Sequence, residues 1–385
     1  MNYEQSYRKL ISGQNAGLDV ALLRLLLRIA AAGYSIAVRL RNFFYSTGWL
    51  KVHRADAAVI CIGNITVGGT GKTPLVVWLC NQLTQNSKLN TMNYNCAILT
   101  RGYKTKKGIL SDEVAILAES CPQAKVIVNP DRVAGAAEAI GKYNAKVLIM
   151  DDGFQHRRLA RDLDIVAIDA TQPFGYGKML PAGLLREPVT SLKRAGAVVI
   201  TRCDQVDKAE LSELEKKLRA INQNMVIVRS IHAPVCAKCP EPFVIPAKAG
   251  IRKKSETMDS CLRRNDGIEQ LKDKNIFAFC GIGNPDAFLN TIKSLGTELV
   301  GSKVYNDHYH YTNECLADIY EHAEHLKADL ILTTQKDWTK IARLAPAKKD
   351  IPLAYLAIEI KFLTGQEKLT ALIEDTFVGK ILKNN

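Results

Sequence analysis

The sequence predicts an α/β fold in which a doubly wound, mostly parallel sheet is followed by a second, smaller α/β domain. Three observations support this prediction. Short apolar runs alternate with helical stretches up to about residue 230, a glycine-rich turn joins one of these runs to a helix, and the alternation resumes after an irregular stretch. Such alternation is typical of parallel sheets that are covered by helices on both faces.

The predicted strands of the main sheet are apolar throughout. They cover residues 57–63, 96–100, 125–128, 146–150, 164–169, 196–201 and 224–228. An apolar run without polar alternation indicates a strand that is buried on both faces of a sheet. Helical patterns lie between the strands, for example TPLVVWLCNQLTQ at residues 73–85.

The composition is that of a globular protein with reduced thiols. The chain has 385 residues, of which 47% are hydrophobic, enough for two domains and too many for general disorder. Its ten cysteines are scattered, with one close pair at Cys236 and Cys239. This pair could suggest zinc, but no second pair at ligand spacing follows in the sequence. No secretory signal precedes the cysteines, so we expect reduced thiols in a cytoplasmic compartment.

The net charge of +13 suits phosphate-rich ligands, anionic membranes or nucleic acid. The chain lacks an aromatic-basic recognition motif for nucleic acid, so no nucleic-acid partner is expected, and no protein partner is predicted. Nearly half of the surplus charge lies in residues 1–54, which contain eight basic and two acidic residues.

Residues 1–54 are predicted to be an amphipathic, membrane-associating segment. Arginines interrupt its apolar stretch at residues 17–50, so no uninterrupted run reaches the ~18–20 residues that a spanning helix needs. A cationic helix with aromatic residues at its end fits the membrane interface, with its arginines at the level of the headgroups. The alternative is a core helix that packs against the rest of the protein.

The rest of the chain divides into three predicted segments. Residues 55–234 form the core domain with the main sheet, and residues 235–274 form a surface insertion or linker. Part of that insertion resembles the translated form of palindromic repeats found in some bacterial genes. Residues 275–385 form the smaller α/β domain, with ordered patterns at 275–296, 328–334 and 351–360.

The stretch VICIGNITVGGTGKTPLVVWLC, residues 59–80, indicates a phosphate-binding loop between a strand and a helix. Residues 71–73 match the end of the pattern G-x-x-x-x-G-K-[ST], Thr66 occupies the first glycine position, and Gly68 and Gly69 supply flexibility. Backbone N–H groups and the helix N-terminus would bind phosphate, which makes the sheet P-loop NTPase-like. The predicted nucleotide-binding residues are Thr66, Val67, Gly68, Gly69, Thr70, Gly71, Lys72 and Thr73, with Lys72 reaching the β- and γ-phosphates.

Two adjacent acids, Asp151 and Asp152, follow the apolar strand KVLIM. An acidic pair at this position can hold Mg²⁺ and orient water or substrate, so Asp151, Asp152 and the hydroxyl of Thr73 are the predicted metal ligands. The alternative, a helix cap, explains the strand placement less well.

The stretch VVITRCD ends with Thr201-Arg202-x-Asp204, a partial resemblance to the guanine-reading motif of GTPases. Arg202 replaces the usual lysine, and the switch motif Asp-x-x-Gly is missing at the correct spacing. ATP is therefore favoured over GTP, and a polar turn after a strand is the simpler interpretation.

Seven stretches together resemble the tetraacyldisaccharide 4'-kinases, the lipid A 4'-kinases of Gram-negative bacteria. They occur in family order and cover nearly the whole chain outside residues 235–270. The stretches are GNITVGGTGKTP (63–74), LTRGY (99–103), SDE (111–113), DDGFQHRRL (151–159), LPAGLLREP (180–188), DHYHYT (307–312) and TTQKD (333–337).

The resemblance implies a peripheral enzyme on the cytoplasmic side of the bacterial inner membrane. It implies ATP and Mg²⁺ as cofactors and an acylated disaccharide 1-phosphate lipid as substrate, phosphorylated at its 4'-hydroxyl. It also implies that the N-terminal helix docks on the anionic membrane.

The resemblance further implies a catalytic dyad of Asp112 and His308, with Lys72 and Asp152 also in the catalytic set. A carboxylate can accept the proton of a sugar hydroxyl, and an imidazole can orient that carboxylate. Because the dyad residues lie in different predicted domains, we expect domain closure to assemble the site. The predicted substrate contacts are Asn64, Arg101, Gln155, His156, Arg186 and Glu187.

Without the resemblance, Asp112 would be read as part of a helix N-terminus and His308 as part of a small polar or metal cluster. Two departures from the family pattern are Val114, where proline is usual, and Gln335, where glutamate is usual. The alternative function is a membrane-recruited nucleotide switch or hydrolase without a lipid acceptor.

Overall fold

The computed structural model describes residues 3–14, 17–85, 95–102, 112–238, 266–307, 309–342, 344 and 351–384. Contacts divide the chain into two compact units. The larger unit comprises Gln5–His232 and Ile360–Asn385, and the smaller unit comprises Ala233–Glu359 with Met1–Glu4.

A parallel sheet forms the centre of the larger unit. Its strands are β1 Ala58–Gly63, β2 Asn95–Thr100, β3 Lys125–Val128, β4 Ala145–Asp151, β5 Leu163–Asp169, β6 Ala197–Thr201 and β7 Val226–Lys238, of which residues 226–232 belong to this unit. They lie in the order β3-β2-β4-β1-β5-β6-β7, and each of these pairings is parallel. The predicted parallel α/β sheet is confirmed, and each predicted strand is present.

Strand β1 shows why these strands are apolar throughout. Val59 and Cys61 pack into the core on one face of the sheet, whereas Ala58, Ile60 and Ile62 pack into the core on the other face. Helices supply the other half of both cores. The helices up to β7 are α1 Tyr3–Ser12, α2 Leu18–Ser46, α3 Lys72–Gln85, α4 Asp112–Ser120, α5 Arg132–Tyr143 and α6 Lys208–Ile221.

The smaller unit has a second set of parallel strands, in the order β11-β10-β8-β9. These are β8 Asn275–Cys280, β9 Glu298–Val304, β10 Leu330–Thr334 and β11 Leu353–Thr364, of which residues 353–359 belong to this unit. The helices of this unit are α7 Asp266–Glu269, α8 Pro285–Ser294, α9 Asn313–His325 and α10 Gln335–Ile341. No strand predicted from the sequence corresponds to β9. It is an edge strand without a fully buried residue, so it lacks the apolar run that marked the other strands.

The end of the chain differs from the predicted smaller domain of residues 275–385. Helix α11, Gln366–Asn384, belongs to the larger unit. Its Leu369, Ile373 and Phe377 are buried in the same core as β1. The predicted boundary failed here because helix periodicity shows that a face is buried but not which core receives it.

The predicted insertion, residues 235–274, also overlaps regular structure. Residues 235–238 complete β7, with Cys236 and Ala237 buried, and Leu271 is buried in the smaller unit. Residues 239–265, including Cys239 of the cysteine pair, lie outside the described part of the chain.

The N-terminal segment contains one 29-residue helix, α2. Its most apolar 18-residue window has a mean hydropathy of 1.6, and 6% of that window is buried. By length and composition alone this helix could cross a membrane, contrary to the expectation from its interrupting arginines. Core helices and signal sequences meet the same criterion, so it is weak evidence for a span. Arg41, expected at headgroup level, instead contacts Glu187.

Candidate active site

The glycine loop, residues 64–71, joins β1 to α3. Gly68 and Gly71 have positive φ angles of 120° and 82°, a region that glycine enters readily and other residues rarely. Gly71 is also constrained by space, because a Cβ there would lie 2.3 Å from Nε2 of His232. A Cβ at Gly69 would meet nothing within 4 Å. The loop therefore requires glycine at 68 and 71 but has room for a side chain at 69.

Main-chain hydrogen bonds attach the glycine loop to residues 184–186. Val67 N donates to Leu184 O at 2.7 Å, and Arg186 N donates to Ile65 O at 2.7 Å. The two segments also form an antiparallel bridge. Arg186 is thus carried by a segment in fixed register with the backbone of the glycine loop.

The end of β6 supports the loop from another direction. Thr201 Oγ1 donates to Thr70 O at 3.1 Å, and Arg202 Nη2 donates to Gly69 O at 2.9 Å. Arg202 is in turn paired with the buried carboxylate of Asp169. The Thr-Arg-x-Asp stretch, which partly resembles a guanine-reading motif, acts here as a brace for the loop backbone.

His232, on β7, also lies against the loop and is not among the predicted site residues. Burial, together with the positive charge of Arg202, lowers the pKa of His232 to about 3, so its imidazole is neutral at physiological pH. Among the described residues, none forms a hydrogen bond with its buried Nε2. No sequence signal marks this histidine, and only its approach to Gly71 reveals it.

Asp152 lies between two cations at the loop. Its Oδ2 accepts a hydrogen bond from Arg186 Nη1 at 2.9 Å, and its Oδ1 lies 3.5 Å from Lys72 Nζ. Burial would raise the pKa of Asp152, but the charges of Lys72 and Arg186 outweigh it and hold that pKa well below the usual range. Three predicted site residues from three distant parts of the sequence therefore meet in one cluster.

Asp151, the preceding residue, ends β4 in a buried position. Burial, together with the negative charges of Asp152 and Glu113, raises the pKa of Asp151 to about 7. Thr100 Oγ1 donates to its Oδ2 at 3.4 Å, and Arg132 Nη2 donates to its backbone O at 3.2 Å. A cation bound to this carboxylate would offset the cost of its ionisation.

The predicted Mg²⁺ ligands fit such an ion chemically. Mg²⁺ takes carboxylate and hydroxyl oxygens, keeps several waters, and usually needs only one or two carboxylates from the protein. Asp151 and Asp152 are adjacent carboxylates beside the loop, and Thr73 lies in the first turn of α3. In the described ranges, no group of three or more His, Cys, Asp or Glu residues could form a metal site by itself.

Glu187, a predicted substrate contact, is completely buried and paired with two arginines. Its Oε1 lies 2.6 Å from Arg41 Nη2, and its Oε2 lies 2.8 Å from Arg194 Nη2. Tyr34 Oη donates to the backbone O of Arg186 at 3.0 Å, so α2 contacts the same segment twice. Glu187 thus attaches the N-terminal helix next to Arg186, and its contact with substrate stays a prediction.

The other predicted substrate residues lie in or near the cluster. Gln155 Nε2 donates to the backbone O of Asn64 at 2.7 Å. Burial and then the charge of Arg132 lower the pKa of His156. Arg101 is exposed, just after the end of β2. These contacts place Gln155 on the loop, while the assigned roles of all three side chains remain predictions.

Of the two residues of the predicted dyad, Asp112 lies among the described residues and His308 does not. Asp112 is the first residue of α4 and is half-buried. Its neighbour Glu113 contributes to the raised pKa of Asp151, so the start of α4 lies within electrostatic range of the carboxylate pair. His308 lies outside the described residues. The dyad therefore remains a prediction from the resemblance.

Several known proteins are similar to this chain. A family model described as tetraacyldisaccharide-1-P 4'-kinase matches residues 23–378. Curated proteins named tetraacyldisaccharide 4'-kinase are 32% identical in Halothermothrix orenii and 34% identical in Syntrophus aciditrophicus. Each match covers 94% of this chain, with 94% and 95% of the two relatives.

A solved structure is also similar to this chain over most of the length of both proteins. It is LpxK from Aquifex aeolicus in complex with ATP, with a TM-score of 0.64 and 27% sequence identity. The similarity covers 92% of this chain and 99% of that chain.

Proposed function

This chain belongs to the tetraacyldisaccharide-1-P 4'-kinase family, and on that premise we propose that it transfers the γ-phosphate of ATP to the 4'-hydroxyl of a tetraacyldisaccharide 1-phosphate. It is thus an ATP-dependent kinase of lipid A biosynthesis, as the sequence motifs implied. The observation that carries this proposal is the cluster of Lys72, Asp152 and Arg186 beside the glycine loop.

The glycine loop and its neighbouring cations are suited to bind a transferring phosphoryl group. Negative charge spreads over the oxygens of that group in the transition state, and fixed positive charges stabilise it. Lys72 Nζ and the Arg186 guanidinium are both within 3.5 Å of Asp152, which holds them on the same carboxylate. Both cations are therefore already oriented when ATP binds, so little reorganisation is needed.

Mg²⁺ is proposed as the second cofactor, held by Thr73, Asp151 and Asp152. Bound Mg²⁺ neutralises the charge of the phosphate oxygens. The role of Asp152 is then twofold, because the same side chain orients Lys72 and Arg186.

For the acceptor, we propose Asp112 as the residue that takes the proton of the 4'-hydroxyl and His308 as the residue that orients it. A sugar hydroxyl is a weak nucleophile, and a positioned base removes its proton as the new bond to phosphorus forms. The half-buried position of Asp112 at the start of α4 supports this role. The family motif in which each residue occurs supplies the rest of the support.

We further propose that the enzyme is peripheral on the cytoplasmic side of the inner membrane and that α2 docks there. One face of α2 contacts the protein through Ala31, Tyr34, Val38 and Arg41. The opposite stripe consists of apolar side chains that are at least half exposed, at helical spacing. They are Leu18, Leu22, Leu25, Ile29, Ile36, Leu40 and Phe43.

The residues after α2 add an aromatic anchor to this surface. Trp49 is 80% exposed and stacks on Phe44 with ring centroids 5.5 Å apart. Tryptophan is enriched at membrane–water interfaces, where its ring lies at headgroup level. Binding of the enzyme to anionic vesicles, and its loss when Leu25 and Ile29 are changed to serine, would test the membrane proposal.

The test of the proposed activity is transfer of labelled phosphate from ATP, with Mg²⁺, to a detergent-dispersed acylated disaccharide 1-phosphate. We expect label on the lipid, no transfer without Mg²⁺, and little transfer from GTP. Release of free phosphate without labelled lipid, with GTP equally effective, would favour the nucleotide switch instead. Asp112→Ala and His308→Ala should lower turnover by orders of magnitude without loss of ATP binding, and wild-type turnover in either variant would refute the dyad.

A further inference from the structure

The motif TTQKD, at the end of β10 and the start of α10, has no part in the mechanism above. Its aspartate, Asp337, is completely buried in the smaller unit. Its Oδ2 accepts hydrogen bonds from Gly281 N at 2.9 Å and from Thr334 Oγ1 at 2.7 Å, and its Oδ1 lies 3.0 Å from Lys340 Nζ. One carboxylate thus ties the residue after β8 to the first turn of α10.

The tyrosine loop, defined here as the described residues 305–307 and 309–311, follows β9 and packs directly on this anchor. Gly281 shows how close the approach is. A Cβ at Gly281 would lie 3.0 Å from Asn306 O, 3.1 Å from Tyr311 Oη and 3.2 Å from Asp337 Oδ1. The loop backbone and the buried carboxylate therefore share one tightly packed position.

Aromatic stacking gives the tyrosine loop a defined shape. The ring of Tyr305 stacks on that of Tyr309 with centroids 4.5 Å apart, and both make edge contacts with Tyr311 at 5.2 Å. Tyr309 N donates to Asn306 O at 3.1 Å, which closes a tight turn. Lys340 lies 5.8 Å from the ring centre of Tyr311, so the motif helix also supports this ring.

An ion pair makes the second connection between motif and loop. Lys336 Nζ lies 3.0 Å from Asp307 Oδ1, and the two side chains are only 19% and 26% exposed. Partial shielding from solvent makes such a pair stronger than one on an open surface. Asp307 directly precedes His308, which itself lies outside the described residues. Both of its sequence neighbours are described, and both are held by these contacts.

We propose that the TTQKD segment positions the tyrosine loop for phosphoryl transfer and that Lys336 is its positioning residue. The inference rests on the proposed kinase function. Lys336 acts through Asp307, while Asp337 anchors the segment that carries Lys336 to the end of β8. A misplacement of about 1 Å in a reacting group can lower turnover by about 10²-fold. The loss of one tether should therefore reduce kcat without a change in how ATP binds.

The test measures kcat and the KM for ATP in Lys336→Met. We expect kcat to fall by about 10- to 100-fold and the KM for ATP to stay within about 2-fold of wild type. Lys336→Arg keeps the charge and should recover most of the lost turnover. The matched control is Lys303→Met, which breaks another Lys–Asp pair of the smaller unit, that with Asp318, and should keep wild-type kcat.

A double-mutant cycle identifies the path of the effect. If Lys336 acts through Asp307, then Asp307→Asn should cause a similar loss, and the double variant should lose little more than either single variant. Losses that multiply in the double variant would overturn the proposal, as would a kcat of Lys336→Met within 2-fold of wild type. A fall in kcat matched by a rise in the KM for ATP or by a lower melting temperature would also overturn it.

Failure of this inference can be distinguished from failure of the proposed function. If wild-type enzyme places no label on the lipid, the kinase proposal itself fails. If wild-type enzyme phosphorylates the lipid and His308→Ala abolishes transfer while Lys336→Met does not impair it, only the positioning role of Lys336 is refuted.

Discussion

The glycine loop of the larger unit and the tyrosine loop of the smaller unit both follow the carboxyl end of a parallel strand, yet different contacts hold them. Backbone geometry shapes the glycine loop, through positive φ angles at Gly68 and Gly71 and main-chain hydrogen bonds to residues 184–186. Side chains shape the tyrosine loop, through stacked rings and the pair between Lys336 and Asp307.

The difference follows from what each loop must present. A loop that binds phosphate with its own N–H groups needs a backbone free of side-chain interference, so its motif is visible in sequence as glycines. A loop that must hold a side chain in place can be built from ordinary residues supported by distant ones. Its supporting motif is visible in sequence only as a pattern without an obvious role.

The largest expected effect is that of Lys72→Met, at the first residue of α3 directly after the glycine loop. It removes a cation that lies beside Asp152 and that we propose stabilises the transferring group, so we expect kcat/KM to fall by about 10³-fold. The loss should exceed that of Lys336→Met, which acts only by positioning. Steady-state transfer assays measure both, with the exposed Lys216→Met as control. Equal losses at Lys72 and Lys336 would remove the distinction between the loops.

The next largest effect should be one of stability, in the smaller unit. Asp337→Asn keeps the shape of the side chain but removes the charge that pairs with the largely buried Lys340. We expect destabilisation of about 3 kcal/mol, measured as a lower melting temperature. Asp318→Asn, in a more exposed pair, should change stability by less than about 1 kcal/mol. A melting temperature of Asp337→Asn equal to that of wild type would show that the Asp337 carboxylate does not hold the TTQKD segment, on which the tyrosine loop packs.

Two alanine substitutions test the backbone requirement of the glycine loop. Gly71→Ala places a Cβ at a positive φ and against His232, so we expect the Kd for ATP to rise by about 10-fold or more. Gly69→Ala introduces the same methyl group where nothing lies within 4 Å and should bind ATP nearly as wild type does. Isothermal titration compares the pair. Equal affinities would contradict the claim that individual glycines, rather than glycine content, shape the loop.

The smallest effect concerns the pH dependence of stability that His232 causes. Its pKa is about 3 in the folded protein against an ordinary value of 6.5, because it is buried and faces the Arg202 guanidinium. As pH falls below 6.5 the unfolded chain binds a proton that the folded chain does not, so stability decreases. Between pH 7 and pH 5.5 we expect a loss of about 1 kcal/mol that His232→Gln lacks.

Chemical denaturation at several pH values measures this difference. Asp151, with a pKa of about 7, also titrates in this range, but it does so in both proteins, so the difference between wild type and His232→Gln belongs to the imidazole. If the stability of wild type and His232→Gln changed in parallel between pH 7 and pH 5.5, His232 would not be a buried neutral group.

Much of the larger unit could be predicted from the sequence because its signals are local. Each strand of a parallel sheet that is buried on both faces is a continuous apolar run, and each predicted run became a strand. The glycine loop and the two carboxylates were placed correctly at the carboxyl ends of β1 and β4 for the same reason. Because all strands of a parallel sheet run in the same direction, their carboxyl ends lie at the same edge of the sheet.

Other features depended on contacts between residues far apart in the chain. Arg186 joined Asp152 only because residues 184–186 pair with the glycine loop, and the importance of His232 came from a close approach that no motif encodes. The core that receives α11 and the existence of the edge strand β9 were likewise decided by packing.

The sequence by itself thus determined the type of sheet, the position of the glycine loop and the family of this protein. Only the tertiary structure decided which cations pair with Asp152, which arginines surround Glu187 and what the TTQKD segment supports. The physical reason is that periodicity and glycine content act over a few neighbouring residues. Ion pairs and core contacts between distant residues depend on how the whole chain packs.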